Sequence, residues 1–119
     1  DKILSIMIDK TIFNMNYEIF DKEIVKEIID IYIQEYPDRI EALAKNIQEN
    51  DLESLYKNSH SLKGVTANFF DKDTEELARI LEAKGKEKDE SNLTEIFEKL
   101  KSTSAKLIIE LHDLRKEYS

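Results

Sequence analysis

Apolar side chains recur every three or four residues along most of this chain, and that spacing constrains its fold more than any other feature. Side chains at this spacing share one face of an α-helix, where they can be buried against other helices. The chain of 119 residues has two glycines and one proline, so it is poor in the residues that build turn-dense β-folds. The pattern therefore predicts an all-α fold with few, short connections.

The N-terminal segment is predicted to stand apart from the main bundle. Residues 1–10 carry clustered apolar side chains that favour a short helix, and Asn14 and Asn16 then favour a loop. Residues 1–20 are accordingly predicted as an additional short N-terminal helix and loop. Residues 21–119 are predicted as an antiparallel four-helix bundle, and the length of the whole chain fits a single domain.

Capping residues and the proline give the expected bounds of the first two bundle helices. Asp21 is placed to cap a long helix, which is predicted to continue past Pro37 with a kink instead of a break. The second helix is predicted to begin after Asn50 or Asp51, where Glu53 is placed to complete a capping box with Asn50. This second helix carries the residues on which the functional prediction rests.

The last two helices are bounded by turn and capping residues in the same way. The second helix is predicted to reach Phe69. A third is predicted from about Thr74 to Lys84, where Gly85 would serve as its C-terminal cap. Ser91 is predicted to cap a long final helix. Neighbouring helices would then be antiparallel, because their connections are short.

Charge and composition exclude several classes of function. The net charge of −8 repels phosphate backbones, and no basic stripe with interleaved aromatic residues is present, so nucleic acid is not expected as a partner. The most apolar stretch, Ile3–Ile8, is too short to span a bilayer, and no contact of this domain with a membrane is expected. The absence of cysteine suits a reducing compartment, so a cytoplasmic location is predicted.

The central helix carries one histidine, His60, on the face opposite its apolar stripe. An α-helix turns by about 100° per residue, so each position can be assigned to a face by arithmetic. With Leu62 at zero, His60 lies at about 160°, between Ala67 at about 140° and Gly64 at about 200°. His60 is therefore predicted to point into solvent. The apolar sector contains Leu52, Leu55, Ser59, Leu62, Val65, Thr66 and Phe69.

The surroundings of His60 are unusual for an ordinary exposed histidine. Gly64 lies one turn later, although a glycine in a helix interior costs about 1 kcal/mol relative to alanine. Gly64 and Ala67 leave a low surface, on which a second protein could bring a reacting group close to the imidazole. Lys57 and Lys63 flank the histidine, and an ammonium group can offset the charge of an incoming phosphoryl group. The neutral imidazole is itself a nucleophile near neutral pH.

The run His60-Ser61-Leu62-Lys63-Gly64 resembles the His-x-Leu-Lys-Gly motif of the histidine-containing phosphotransfer (HPt) domain. The later segment Leu77–Glu82 is similar to the Leu-Ala-x-x-Leu-Glu pattern of that family's next helix. The resemblance implies that His60 is the phosphoacceptor, that Lys63 stabilises the phosphate, and that Gly64 permits close approach of a response-regulator receiver domain. It further implies that Glu82 hydrogen-bonds the imidazole.

Two positions depart from the family pattern. Members often have a second glycine six residues after the first, where this chain has Phe70, so the turn after the central helix is not defined by the resemblance. Ser59 replaces the alanine that commonly precedes the histidine, which is a small change. Neither substitution removes a group on which the predicted chemistry depends.

The same resemblance implies a relay. A receiver aspartyl phosphate, or a histidine kinase, would donate to His60, and another receiver aspartate would accept. The domain would bind no cofactor or metal, and the Mg²⁺ of the reaction would belong to the receiver. No Gly-rich phosphate loop is present, so autonomous kinase activity is not expected. Receivers would dock on Gly64, Ala67 and Lys57. Whether the chain stands alone or belongs to a hybrid or chemotaxis-type kinase, which could anchor it at a membrane, stays open.

Two other classes of protein are alternatives to the relay. A di-metal carboxylate bundle needs Glu three residues before His on two helices, but Lys57 and Ile109 occupy those positions before His60 and His112. A degenerate bundle that only binds partners stays open, although it would have no need of His60 together with Lys63 and Gly64. His112 lies at the edge of the last helix's apolar stripe and is assigned no role.

Overall fold

The computed structural model describes residues 8–118, and all regular secondary structure within them is helical. Helix α2 packs on α3 and α5, and α4 packs on the same two helices, so α2 to α5 close a four-helix bundle. This confirms the predicted fold class of a four-helix bundle with an additional short N-terminal helix. The helices are α1 (Lys10–Tyr17), α2 (Lys22–Gln48), α3 (Leu52–Thr66), α4 (Lys72–Glu87) and α5 (Leu93–Lys116), with a 3₁₀ turn at Ala67–Phe69.

The N-terminal helix lies later in the chain than the sequence predicted. Asn14 and Asn16 are inside α1, so the prediction of a loop at these residues is wrong. Asp9 caps the helix through its side chain, and Phe13 is fully buried in the core, so capping and burial outweigh the low helix propensity of asparagine. The part of the predicted leading helix that falls on residues 1–7 lies outside the described residues.

Helix α2 runs through Pro37 without a break, as predicted. Asp21 precedes its first residue, but the Asp21 side chain makes no capping hydrogen bond. Of the two predicted caps of α3, Asp51 is confirmed, because it accepts a hydrogen bond from the Ser54 amide at 3.1 Å, and the capping box predicted from Asn50 does not form. Asn50 lies in the connection between α2 and α3 and takes a left-handed conformation, with φ of 56°.

Helix α4 is longer than predicted at both ends. Asp71 caps its start by accepting a hydrogen bond from the Thr74 amide, and the helix continues to Glu87. The prediction that Gly85 is the C-terminal cap is wrong, because Gly85 is buried inside the helix and Lys88 takes the left-handed capping position. A lysine can do so because its side chain is exposed and the strain is small enough to be offset by packing elsewhere.

The connections on either side of α4 contain strained residues that the sequence did not reveal. Phe70 has φ of 58° and ψ of 32°, the left-handed conformation that glycine adopts freely. This is the position at which the chain departs from the family's second glycine, and the phenylalanine ring packs partly against the core. Asn92, with φ of 58°, precedes α5, so the prediction that Ser91 caps the final helix is wrong.

The core consists of two apolar clusters stacked along the bundle. One lies where α1 meets α2 and the second half of α5, and contains Phe13, Ile29, Phe69 and Leu111 among its fully buried residues. The other joins α3 and α4 to the remaining parts of α2 and α5. Between residues 8 and 118, no helix is long and apolar enough to cross a membrane. Helix α3 packs on α2 and α4, and its remaining face is exposed.

Candidate functional site

Helix α3 buries the face that its sequence predicted. Leu55, Ser59, Leu62 and Thr66 are fully buried, whereas the His60 side chain is 65% exposed. The end of α3 is tied to α2 by a hydrogen bond of 2.8 Å between the hydroxyls of Thr66 and Tyr32. Burial raises the pKa of that tyrosine to about 12, so the hydroxyl stays protonated. The helix is therefore fixed in rotation, with His60 directed outward as expected.

His60 and Lys63 are joined by one carboxylate from the neighbouring helix. Nδ1 of His60 lies 2.7 Å from Oε2 of Glu82, and Nζ of Lys63 lies 2.6 Å from Oε1 of the same residue. Each carboxylate oxygen thus serves one partner. The structure therefore brings together three of the predicted site residues, two from α3 and one from α4.

Glu82 is held as an anion by this arrangement. Its side chain is 14% exposed. Desolvation raises the pKa of Glu82, but hydrogen bonds from Lys63 and His60 lower it more, and the resulting pKa is below the ordinary value for glutamate. An ionised carboxylate can only accept hydrogen bonds, so Nδ1 of His60 is assigned as the protonated nitrogen. In the neutral ring, Nε2 then carries the free electron pair.

The surface beside the imidazole is open at Gly64. Gly64 is exposed, and a Cβ atom added there would have nothing within 4 Å. Ala67, half-buried in the 3₁₀ turn, continues this low surface. The clearance that the sequence predicted is present. No cap or close helix contact accounts for the glycine.

The lysines are placed less symmetrically than the sequence suggested. Lys63 is drawn over the site by Glu82 and is 30% exposed, while Lys57 forms an ion pair of 3.3 Å with Glu53 on its own helix and is 68% exposed. Lys63 also lines a shallow depression of mixed charge with Lys72, Glu75, Glu76 and Arg79 of α4, in which Arg79 is paired with Glu76. Lys63 is therefore the lysine that is held at the site, whereas Lys57 is held by its own helix.

Two neighbours of the site were missed by sequence reasoning. The ring of Tyr56 lies 6.4 Å from the His60 ring, centroid to centroid, one turn earlier on α3. The four-residue spacing could have revealed it. Arg39 donates a hydrogen bond of 2.8 Å to the Ser61 hydroxyl, and this contact comes from α2, so no local pattern indicates it.

The structure also bears on the second histidine, His112, and on the alternative of a di-metal carboxylate bundle. His112 is exposed on α5, apart from this site. Across residues 8–118, no three His, Cys, Asp or Glu side chains are grouped so that they could hold a metal ion. The chemistry to be explained is therefore that of one exposed imidazole, one carboxylate and one ammonium group.

Comparisons with known proteins found a matching family model and a similar solved structure. Residues 27–117 match the family model of the Hpt domain. Among solved structures, the chain is similar to histidine-containing phosphotransfer protein B (HptB) from Pseudomonas aeruginosa PAO1, with a TM-score of 0.87 at 18% sequence identity. The alignment covers 95% of this chain and 97% of that one, and at this identity it shows the fold alone. No curated protein matches the chain.

Proposed function

This chain belongs to the Hpt domain family, which acts in phosphotransfer in two-component signalling, and we propose that His60 is its phosphoacceptor. One observation carries the proposal: the Glu82 carboxylate is hydrogen-bonded to Nδ1 of the exposed His60 ring. This bond leaves Nε2 free beside the open surface at Gly64. A structural histidine would need neither the exposure nor the clearance. The domain would be a relay intermediate, with no kinase activity of its own.

The reaction can be written with the atoms in place. Nε2 of His60 attacks the phosphorus of a receiver aspartyl phosphate, so an N–P bond forms as the P–O bond to the aspartate breaks, and the carboxylate leaves. The Nδ1 proton stays on the ring. The imidazole becomes cationic at the moment of transfer, and the Glu82 carboxylate stabilises that charge. The same steps in reverse pass the group to a second receiver.

Lys63 is proposed as the cation that receives the phosphoryl group. Its ammonium group is already held at the site by Glu82, at 2.6 Å, so it does not need to be ordered from solvent during transfer. A phosphoryl oxygen arriving at Nε2 would compete with Oε1 of Glu82 for the ammonium protons. A lysine suits this exchange because it is a flexible point charge and not a rigid clamp.

We place the receiver on the surface formed by Gly64, Ala67 and the exposed side of Lys57. The side chains of Lys57 and Lys63 flank His60 on α3 and supply positive charge there, in a domain whose net charge is −8. A partner with an acidic active site would be attracted to this region and repelled by the remaining surface. Receivers, and a histidine kinase as a donor, are the proposed partners. Any Mg²⁺ would be bound by the receiver's carboxylates, and no cofactor by this domain.

The test is phosphoryl transfer to the isolated chain. A receiver domain loaded with acetyl phosphate is mixed with the wild type, with His60→Gln and with His112→Gln, which changes the other histidine of the chain. We expect acid-labile, base-stable phosphate on the wild type and on His112→Gln, and none on His60→Gln. The helical circular dichroism of His60→Gln should be unchanged, because the ring lies outside the core.

Phosphoramidate, a small phosphodonor, separates chemistry from docking in the same experiment. If neither a panel of receivers nor phosphoramidate labels the wild type, the chain is a degenerate bundle that binds partners without accepting phosphate. Labelling that persists in His60→Gln would also end the proposal. Loss of folding in that variant would contradict the outward placement of His60.

A further inference from the structure

Gly85 lies where α4 closely approaches α3. It is buried in α4, and a Cβ atom added there would lie 2.7 Å from the backbone nitrogen of Tyr56 and 2.8 Å from the carbonyl oxygen of Leu52. Both atoms belong to the backbone of α3. Backbone atoms inside a helix cannot rotate aside as a side chain can, so any larger residue at this position would separate the helices.

This contact lies next to the candidate site on both helices. Glu82 precedes Gly85 by three residues, and His60 follows Tyr56 by four, which is about one helical turn in each case. The two helices are antiparallel, so the turn before Gly85 on α4 faces the turn after Tyr56 on α3. The separation of the helices at Gly85 therefore determines the distance that the Glu82 side chain must span to reach His60.

We infer that Gly85 is a positioning residue for the site, setting the α3–α4 separation at which Glu82 reaches both His60 and Lys63. The inference rests on the proposed function only where it concerns phosphoryl transfer. The effect of Gly85 on the histidine ring follows from the contacts alone. Gly85 touches neither the imidazole nor any phosphoryl group, and acts entirely through Glu82.

The size of the displacement decides whether the contact matters. Ordinary van der Waals contact requires about 3.4 Å or more, so alanine at Gly85 would push the two backbones apart by roughly 0.7 Å. The bond from Nδ1 of His60 to Glu82 would lengthen from 2.7 Å to about 3.4 Å if the side chain did not adjust. That length is beyond the usual range of a hydrogen bond, so the carboxylate would lose its hold on the ring tautomer.

Gly64 provides a matched control within the same chain. It also lies in a helix next to the site, but a Cβ atom there would meet nothing within 4 Å. Gly64→Ala and Gly85→Ala gain the same intrinsic helix propensity. The difference between the two variants therefore reports the close approach at Gly85.

The experiment measures the tautomer of His60 by ¹⁵N NMR of the imidazole nitrogens, with no phosphodonor present. We expect the Nδ1–H form to predominate in the wild type and in Gly64→Ala, and to fall toward the distribution of a free imidazole in Gly85→Ala. Glu82→Asp, which shortens the side chain by one methylene without touching the helix contact, gives the reference spectrum for a carboxylate out of reach. Trimethylamine N-oxide is added to all samples at a concentration that keeps Gly85→Ala folded.

Urea unfolding should move in opposite directions for the two alanine variants. We expect a higher midpoint for Gly64→Ala and a lower one for Gly85→Ala. A loss of stability alone would be explained by packing, so the tautomer is the readout that identifies positioning. A wild-type tautomer in folded Gly85→Ala would overturn the inference, as would an equal tautomer change in both alanine variants.

Transfer from phosphoramidate completes the test. We expect the labelling rate of Gly85→Ala to fall several-fold, because a smaller fraction of the His60 rings then has Nε2 unprotonated and able to attack. Glu87→Gln, at an exposed residue two positions away on the same helix, should label at the wild-type rate. If the wild type itself takes no phosphate but the tautomer depends on Gly85, the proposed function fails and the positioning inference stands. If the wild type labels normally and Gly85→Ala equals it in tautomer and rate, only the inference fails.

Discussion

Replacing Glu82 by glutamine should destabilise the chain at neutral pH but not in acid. Glu82→Gln keeps the size of the side chain and removes its charge. In the folded chain, desolvation raises the pKa of Glu82, but the hydrogen bonds from Lys63 and His60 outweigh it and leave the pKa lowered. A carboxyl group with a lowered folded-state pKa contributes stability above its unfolded pKa, and that contribution is lost as pH falls through the folded value.

The magnitude follows from the exposure of the two partners. A hydrogen bond to a charged group contributes about 1.5–3 kcal/mol where it is well buried, and an exposed ion pair about 0.2–1 kcal/mol. Glu82 is 14% exposed, but its partners His60 and Lys63 are 65% and 30% exposed. Because solvent screens the two partners, each of these hydrogen bonds contributes close to the value for an exposed ion pair, about 0.2–1 kcal/mol. We expect Glu82→Gln to lower the free energy of unfolding by about 1 kcal/mol at neutral pH.

The assay is urea unfolding followed by circular dichroism at about pH 7 and about pH 2.5, the second value lying well below the ordinary range of glutamate because the pKa of Glu82 is lowered in the folded chain. The difference between wild type and Glu82→Gln should shrink toward zero at the lower pH. Glu87→Gln serves as the control, because it removes an exposed glutamate from the same helix. A difference of equal size at both pH values would refute the reasoning, since the lost stability would then not depend on the charge of Glu82.

Two further changes test other features of α3. Ser59→Ala should raise the free energy of unfolding by about 0.5–1 kcal/mol in urea titrations, because the buried Ser59 hydroxyl has no hydrogen-bond partner within the described part of the chain. A free energy of unfolding lower in Ser59→Ala than in the wild type would show that the Ser59 hydroxyl is hydrogen-bonded. Gly64→Leu should slow transfer from a receiver while labelling by phosphoramidate stays near wild type and the urea midpoint does not fall, since leucine would fill a surface that is open in the free domain. Equal slowing with both donors would contradict a docking role.

The faces of the helices were predictable because burial on a helix repeats with a local period. Taking Leu62 as the reference placed His60 in solvent and Thr66 in the core, and both placements are confirmed. His60, Lys63 and Gly64 lie within five consecutive residues of one helix, so their proximity needed no tertiary information. Glu82 lies on a different helix, and only the family pattern pointed to it.

Contacts between helices could not be predicted in this way. The capping box at Asn50 was a plausible local pattern, yet Asn50 takes a left-handed conformation and its amide donates a hydrogen bond to Glu90, 40 residues later. The Arg39 contact with Ser61 likewise joins α2 to α3. Asn50 thus has a distant partner in place of its predicted local one, whereas Arg39 keeps its local ion pair with Glu35 and adds the contact with Ser61.

The two glycines show most directly what the sequence could and could not reveal. A glycine followed by a run of charged residues is typical of a helix C-terminus, and Gly85 fits that description. The left-handed cap is instead Lys88, where a side chain costs roughly 1–2 kcal/mol of backbone strain. A Cβ atom at Gly85 would overlap backbone atoms of α3, which no rotamer change can relieve. The chain therefore has its glycine where the overlap cannot be avoided, and tolerates strain at the cap. Gly64, with open space around it, has no such structural reason, so its presence beside His60 points to a partner that must come close.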